Sequence, residues 1–242
     1  KGLRNSTIGK QLGFLKWFLK WSANNGYHKN MAYLSFKPKL KTTEKRIIFL
    51  TWDELMTVYN FPIPESKKYL DRVRDVFCFC CFTSLRYSDV YNLKRFDIKN
   101  GALHITTVKT ADSLTIDLNK YSQAILDKYD GVPFEDNKAL PVISNQKMND
   151  YIKELGQLCG LDQPETVTYY VGNERVDEVY PKYELMGTHT GRRTFISNAI
   201  MMGIPPQVVM KWTGHSDYKA MKPYIAIADS AKAEAMKLFN DC

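Results

Sequence analysis

Apolar positions along the chain recur mostly at helical spacing and alternate in only two short regions. After Ser6, which has the chemistry of an N-cap, Ile8, Leu12, Leu15 and Leu19, widened by Phe14 and Phe18, predict a helix that stops at Asn24-Asn25-Gly26. Periodicity disappears from Tyr27 to Lys45, where Lys and Pro accumulate, so this stretch reads as a basic linker at a domain boundary. Thr51-Trp52-Asp53-Glu54 has the pattern of a capping box and opens a new helix. An apolar segment over 67–82 predicts a buried helix that ends in Thr83-Ser84-Leu85-Arg86-Tyr87-Ser88-Asp89. Ser88 could cap the helix that follows, which leaves Arg86 at the joint between the two.

Asn100-Gly101 between short alternating runs predicts a type I′ hairpin, and a second turn over 109–113 adds the strand Leu114 to Leu118. Helices are expected over 120–130 and 145–159, and a second hairpin over 166–180 turning at Gly172-Asn173. The last third predicts helices over 190–202, 206–212 and 230–239, with Gly203 ending the first and Pro205-Pro206 opening the second. Pro223 biases Lys222 away from helix, so a break is expected just before Tyr224. The pattern predicts a mostly α fold of α+β type, with one small three-stranded antiparallel sheet and an extra hairpin.

Composition leaves this picture intact. Of 242 residues, 44% are hydrophobic and 25% charged, which excludes collagen-like, low-complexity and globally disordered chains. No apolar run approaches the ~20 residues of a membrane helix. Three of the five cysteines, Cys78, Cys80 and Cys81, lie in one apolar run, where they read as small buried hydrophobes in a reducing compartment. The first residue is Lys1 rather than Met, so a fragment of a longer chain is expected.

Charge changes the picture more. The formal net charge is +8, yet residues 1–46 hold eleven Lys and Arg against the single acid Glu44. That segment carries +10 and the remaining 196 residues −2, an asymmetry expected of a polyanion-binding arm on a near-neutral body. A solvated basic face is the plainer alternative.

Candidate chemistry concentrates late in the chain. In His189-Thr190-Gly191-Arg192, residues three apart on a first helical turn present an imidazole and a guanidinium side by side. Trp212-Thr213-Gly214-His215 follows, with Tyr224 nine residues beyond His215. Arg86 and Lys109 complete a set of two arginines, a lysine, two histidines and a tyrosine. The chain has no Walker loop, no Asp-x-Asp cluster and no zinc-type cysteine spacing.

In order and spacing, Thr-Ser-Leu-Arg-Tyr-Ser-Asp (83–89), Val-Lys-Thr (108–110), His-Thr-Gly-Arg-Arg-Thr-Phe (189–195), Gly-His (214–215) and Tyr224 resemble the tyrosine recombinase, or phage integrase, family. The likeness is to integrases of prophages and conjugative transposons in particular. It implies two domains: residues 1–41 as the C-terminal part of a helical core-binding domain with its basic linker, and 42–242 as the catalytic domain. It also implies a site-specific recombinase that cleaves and rejoins DNA through a 3′-phosphotyrosine, without ATP, metal or cofactor.

Under this resemblance Tyr224 is the nucleophile and Arg86 and Arg192 hold the phosphate. Lys109 protonates the departing 5′-oxygen, His189 gives acid/base help, and His215 positions the phosphate. Asp89 either orders Arg86 or favours its helix dipole. Lys10, Lys16, Lys20, Lys37, Lys39, Lys41 and Arg193 are candidate contacts to DNA, with Arg193 expected to point away from Arg192. Implied partners are double-stranded attachment sites, a homotetramer on two duplexes, and accessory host or directionality factors. The 230–239 helix would dock on a neighbouring protomer or pack in cis. The implied location is the bacterial cytoplasm, on the nucleoid. Rival functions are a non-catalytic DNA-binding regulator that retains the fold, and a type IB topoisomerase-like nicking-closing enzyme.

Overall fold

The helical periodicity is realised in a computed structural model that describes residues 2–44, 46–109 and 112–227. In chain order the elements are α1 (Asn5–Asn24), α2 (Ala32–Ser35), α3 (Trp52–Asn60), α4 (Tyr69–Thr83) and α5 (Tyr87–Asn92). Then come β1 (Ile98–Lys99), β2 (Ala102–Thr106), β3 (Ser113–Asp117), α6 (Lys120–Lys128) and α7 (Asn145–Leu158). The hairpin β4 (Pro164–Val171) and β5 (Glu174–Pro181) precedes α8 (Thr188–Met201) and α9 (Pro206–Thr213). Residues 222–227 are helical. The expected helix over 230–239 and Thr110 lie outside the described residues.

The chain divides into two compact units, residues 1–46 with 164–180, and residues 47–163 with the chain from Pro181 onward. The hairpin thus folds with the N-terminal segment, whereas the sequence placed it in a continuous 42–242 domain. Within the first unit Asn5 is buried at the hairpin tip. Its Nδ2 donates to the Gly172 and Lys41 carbonyls at 2.8 and 3.0 Å, and its Oδ1 accepts from the Gly172 amide at 2.9 Å. Every polar group of that amide is satisfied, as burial demands.

α1 differs from its expected form at both levels. It starts at Asn5 with Arg4 as N-cap and no side-chain cap, so Ser6 lies in the first turn rather than before it. Its apolar stripe is not core: Phe14 is 73% and Phe18 52% exposed, Leu15 is exposed, Ile8, Leu12 and Leu19 are half-buried, and the buried residues of the helix are Asn5 and Ser22.

The second unit is organised on α4, which is buried along nearly its whole length from Leu70 to Thr83. From Val76 to Phe82 it is apolar on every side and must be enclosed by other elements, and α3, α6, α7 and α8 all pack against α4. The capping box at Thr51 and Glu54 forms as expected, and the Glu54 carboxylate also takes both bonds from buried Lys182, at 2.6 and 2.8 Å. Asp75, buried on α4, accepts from Arg74, from Lys128 at 2.6 Å and from the Tyr129 hydroxyl at 2.8 Å, pinning α4 to α6.

The sheet is antiparallel in the order β1-β2-β3, with Leu103 opposite Ile98 on one side and Ile116 on the other. Asn100 and Gly101 both take positive φ, 52° and 73°, the backbone of the expected hairpin turn. Leu103, Leu114 and Ile116 face the core.

α8 lies so close to α4 that a Cβ on Gly191 would sit 2.9 Å from Cys80 Cβ. Glycine is therefore demanded by packing and not by φ. The segment before α3 is tied to the same helix: Leu50 N donates to Thr194 Oγ1 at 3.0 Å, and Asn198 Nδ2 donates to Leu50 O at 2.9 Å. These contacts fix where α8 carries its first two turns.

Candidate functional site

Two left-handed helix caps bring the candidate residues together. α4 ends at Ser84, held left-handed at φ 66°, and the chain then turns so that Arg86 becomes the N-cap of α5. Ser88, expected to cap that helix, lies inside its first turn instead, because the helix already begins at Tyr87. α9 ends at Gly214, also left-handed at φ 65°, where a Cβ would come within 3.2 Å of Leu114. This cap turns the chain back, with His215 N bonded to Met210 O at 3.2 Å.

Arg192 occupies the centre and is 3% exposed. Its Nη1 donates to the Ser84 carbonyl at 3.0 Å and lies 3.3 Å from Ser84 Oγ; its Nη2 donates to the Thr213 carbonyl and faces His215 Nε2 at 3.4 Å. Both left-handed caps thus hold one guanidinium. Burial, then the charge of Arg86, pulls the Arg192 pKa down to about 10, opposed by Tyr224 and Asp89. It stays a cation at neutral pH.

The His215 tautomer follows from its neighbours. Thr213 Oγ1 donates to the Val209 carbonyl at 2.8 Å, so it accepts from His215 Nδ1–H, 2.7 Å away. Nε2 is then the bare nitrogen that faces Arg192. Burial, then Arg192, Arg86 and His189, lower the His215 pKa to about 4, and the ring is neutral at pH 7.

Arg86 shows an unspent donor. Its Nη1 is buried without a hydrogen-bond partner, and the nearest carboxylate oxygen, Asp89 Oδ2, is 3.7 Å away. Asp89 is itself buried, and its Oδ1 accepts from Val108 N at 3.0 Å. One carboxylate therefore stands beside Arg86 and anchors the loop that carries Lys109. It also lies in the first turn of α5, so both roles weighed for Asp89 have a geometric basis. Lys109 is exposed.

His189 is the second residue of α8, whose N-terminus is capped by Thr190 Oγ1 on Gly187 N at 3.0 Å and by Asn149 Oδ1 on Thr188 N at 2.9 Å. The side chain keeps an exposed edge. Even so, packing around the ring, followed by the charges of Arg193, Arg192, Arg86 and Lys109, draws its pKa down to about 4. Tyr224 packs against a small core of Ile196, Ala199, Ile200, Val209 and Met221. Burial raises its pKa above 10, and Arg193 followed by Arg192 opposes that rise.

The break expected before Tyr224 is absent. Residues 222–227 are helical and Tyr224 N bonds to Met221 O at 3.0 Å. Pro223 falls in the first turn, where a missing N–H costs nothing because no intrahelical partner exists there. Arg86, Lys109, His189, Arg192, His215 and Tyr224 thus fall within one electrostatic neighbourhood. Arg193, the next residue on α8, is half-buried, and its charge bears on His189 and Tyr224.

The arm lysines behave less uniformly. Lys10, Lys20, Lys37, Lys39 and Lys41 are exposed, Lys41 lying 5.8 Å from the Tyr170 ring centroid, whereas half-buried Lys16 donates to the Phe36 carbonyl. Among the described residues no three His, Cys, Asp or Glu side chains group as metal ligands. What the site can do is bind an oxyanion between cations with a phenol at hand.

Comparisons with known proteins bear on the family and the fold. The profile of the phage integrase family matches residues 48–231. The tyrosine recombinase XerC of Thermodesulfovibrio yellowstonii is 23% identical over 234 residues, covering 93% of this chain and 72% of that protein. The Tn1549 transposon integrase (residues 82–397), solved in complex with circular intermediate DNA, superposes with a TM-score of 0.64 at 17% identity, over 97% of this chain and 80% of its own. A lambda integrase (75–356) dimer bound to a COC′ core site gives 0.59 at 16%, over 85% and 70%. XerH recombinase bound to its difH substrate also gives 0.59 at 16%, over 81% of this chain, which spans 54% of that longer one.

Proposed function

The chain belongs to the phage integrase family of tyrosine recombinases, and from that membership we propose that it cleaves and rejoins DNA at a specific site, using Tyr224 as nucleophile. The observation that carries the proposal is the buried Nη1 of Arg86, which has no hydrogen-bond partner, beside buried Arg192. A buried donor without an acceptor costs on the order of 1–3 kcal/mol, more when charged. A phosphodiester oxygen supplies that acceptor.

In this mechanism the two guanidinium groups take the non-bridging oxygens, whose charge grows as phosphorus becomes pentacoordinate. Tyr224 Oη forms the new P–O bond while its proton passes to neutral His189. The P–O5′ bond breaks and the Lys109 ammonium protonates the leaving oxygen. Attack by an incoming 5′-hydroxyl reverses each step, so ligation needs no ATP. To donate to a phosphate oxygen, His215 Nε2 takes up a proton, which an adjacent anion favours. Arg86 and Arg192 do the work a metal would otherwise do.

The proposed substrates are two attachment sites joined or separated by a homotetramer, integrating or excising a mobile element in a bacterial cytoplasm. Exposed Lys10, Lys20, Lys37 and Lys39 would track the DNA backbone. The proposal is tested with a suicide DNA substrate carrying the element's own junction, read as a covalent complex on a denaturing gel. Tyr224→Phe should abolish the adduct, while Tyr218→Phe and EDTA leave it intact. Loss of the adduct with Tyr218→Phe alone, or a metal requirement, would refute the assignment. Binding with no adduct in any condition would favour a regulator instead.

A further inference from the structure

Arg193 follows the second arginine of the motif, and its placement on α8 is informative. His189, Arg193, Ile196 and Ile200 are spaced i, i+4, i+7 and i+11, so they form one stripe of the helix. Tyr224 packs against the small core to which the far part of that stripe contributes Ile196 and Ile200. The near end is His189. Arg193 is half-buried between them, which is not where a purely solvent-facing phosphate anchor would sit.

The geometry points to Arg193 as a positioning residue of the strand-transfer site, a cation on the α8 stripe between His189 and the core on which Tyr224 packs, set to steer the proton that passes between them. This rests on the strand-transfer reading above. The charged groups that bear on Tyr224 are Arg193 and then Arg192, both from α8. Those that bear on His189 are Arg193 and Arg192 from its own helix, Arg86 from the start of α5, and Lys109 from the β2–β3 loop, with His215 also nearby. In both cases Arg193 leads the charges.

Arg192, by contrast, is held in place by its bonds to Ser84, Thr213 and His215, and in the reaction proposed above it takes a phosphate oxygen. The two consecutive arginines therefore divide the labour. One binds the oxyanion and the other tunes the groups that exchange the proton.

The experiment is a single-turnover cleavage series on a suicide substrate between pH 5 and 9, with wild type, Arg193→Gln and Arg193→Lys, alongside histidine titration by NMR in the free proteins. Arg193→Gln should slow cleavage at pH 7 at least tenfold and move the acid limb of the profile up by about 0.5–1 pH unit. The same variant should raise the His189 titration midpoint, and Arg193→Lys should restore most of both. A pure backbone contact predicts otherwise: weaker DNA binding and a log K against log salt slope smaller by about 1, with the pH limb and the His189 midpoint unmoved. That result would overturn the inference. Absence of adduct in the wild type would instead sink the strand-transfer reading, and the two failures are distinct.

Discussion

Gly191→Ala sets two physical effects against each other with opposite signs. Propensity alone favours alanine in a helix interior by about 0.8–1.0 kcal/mol. Packing opposes it, because the new methyl would lie 2.9 Å from Cys80 Cβ and 3.4 Å from the Cys80 carbonyl carbon and Cys81 nitrogen. Carbon atoms rest at about 3.5–4.0 Å, so α8 must retreat from α4 by several tenths of an ångström or more. Overpacking of this kind costs about 1–3 kcal/mol, and the net expectation is destabilisation by about 1 kcal/mol. For a chain of this size that is a fall in Tm of about 2–4 °C.

Arg192 is the next residue, so the same retreat pulls its guanidinium from the Ser84 carbonyl. A misplacement approaching 1 Å costs on the order of a hundredfold in rate, and single-turnover cleavage should fall by about 10- to 100-fold. Urea and thermal unfolding, with cleavage of a suicide substrate, read both effects. Cys80→Gly on the Gly191→Ala background removes the opposing Cβ, and the double-mutant cycle should show a favourable coupling of at least ~0.5 kcal/mol. A variant that gains 2–4 °C, cleaves normally and shows no coupling to position 80 would refute the claim that close α4–α8 contact places Arg192.

The neutral His215 gives a pH signature: its folded pKa of about 4 lies below the unfolded value near 6.5, so its contribution is complete above pH 6.5 and lost as pH falls toward 4. His215→Gln should reduce the slope of unfolding free energy in that window by about 1.4 kcal/mol per pH unit; an unchanged slope in urea titrations contradicts the assignment. Calorimetry of DNA binding near pH 6.5 in buffers of different ionisation enthalpy should show proton uptake that diminishes in the same variant. Asp75→Asn breaks a buried network of Arg74, Lys128 and Tyr129 and should cost about 3–5 kcal/mol by urea unfolding, while a loss under 1 kcal/mol would mean the network is dispensable. Replacing Lys10, Lys20, Lys37 and Lys39 by Gln should flatten the salt dependence of DNA affinity by about 0.9 for each phosphate no longer neutralised, whereas an unaltered slope would clear the arm of a backbone role.

Much of the architecture was legible because local rules act over a few residues. The capping box at Thr51, the positive-φ turn at Asn100-Gly101 and the apolar run of α4 appear where the pattern puts them. Local rules failed where two of them competed. Pro223 disfavours helix in the residue before it yet suits a first helical turn, and the structure takes the second option. Ser6 and Ser88 have cap chemistry but sit one or more positions inside helices whose starts are set elsewhere. The stripe on α1 has helical spacing, but periodicity cannot say what a face packs against, and in the described residues several of its large side chains are exposed.

By itself the sequence determined that a few motifs, correctly ordered and spaced, supply two arginines, two histidines, a lysine and a tyrosine. Only the tertiary structure decided how they act on one another, because charge and hydrogen bonding depend on distances across chain separations that spacing does not encode. The bare Nε2 of His215 requires Thr213 and Val209 to be where α9 ends. The unspent donor of Arg86 requires burial with its neighbouring carboxylate, Asp89, held 3.7 Å away, beyond hydrogen-bond reach. Arg193 and His189 share a face through their spacing on α8, while Tyr224, from the helical residues 222–227, reaches that helix only by packing on the small core that includes Ile196 and Ile200.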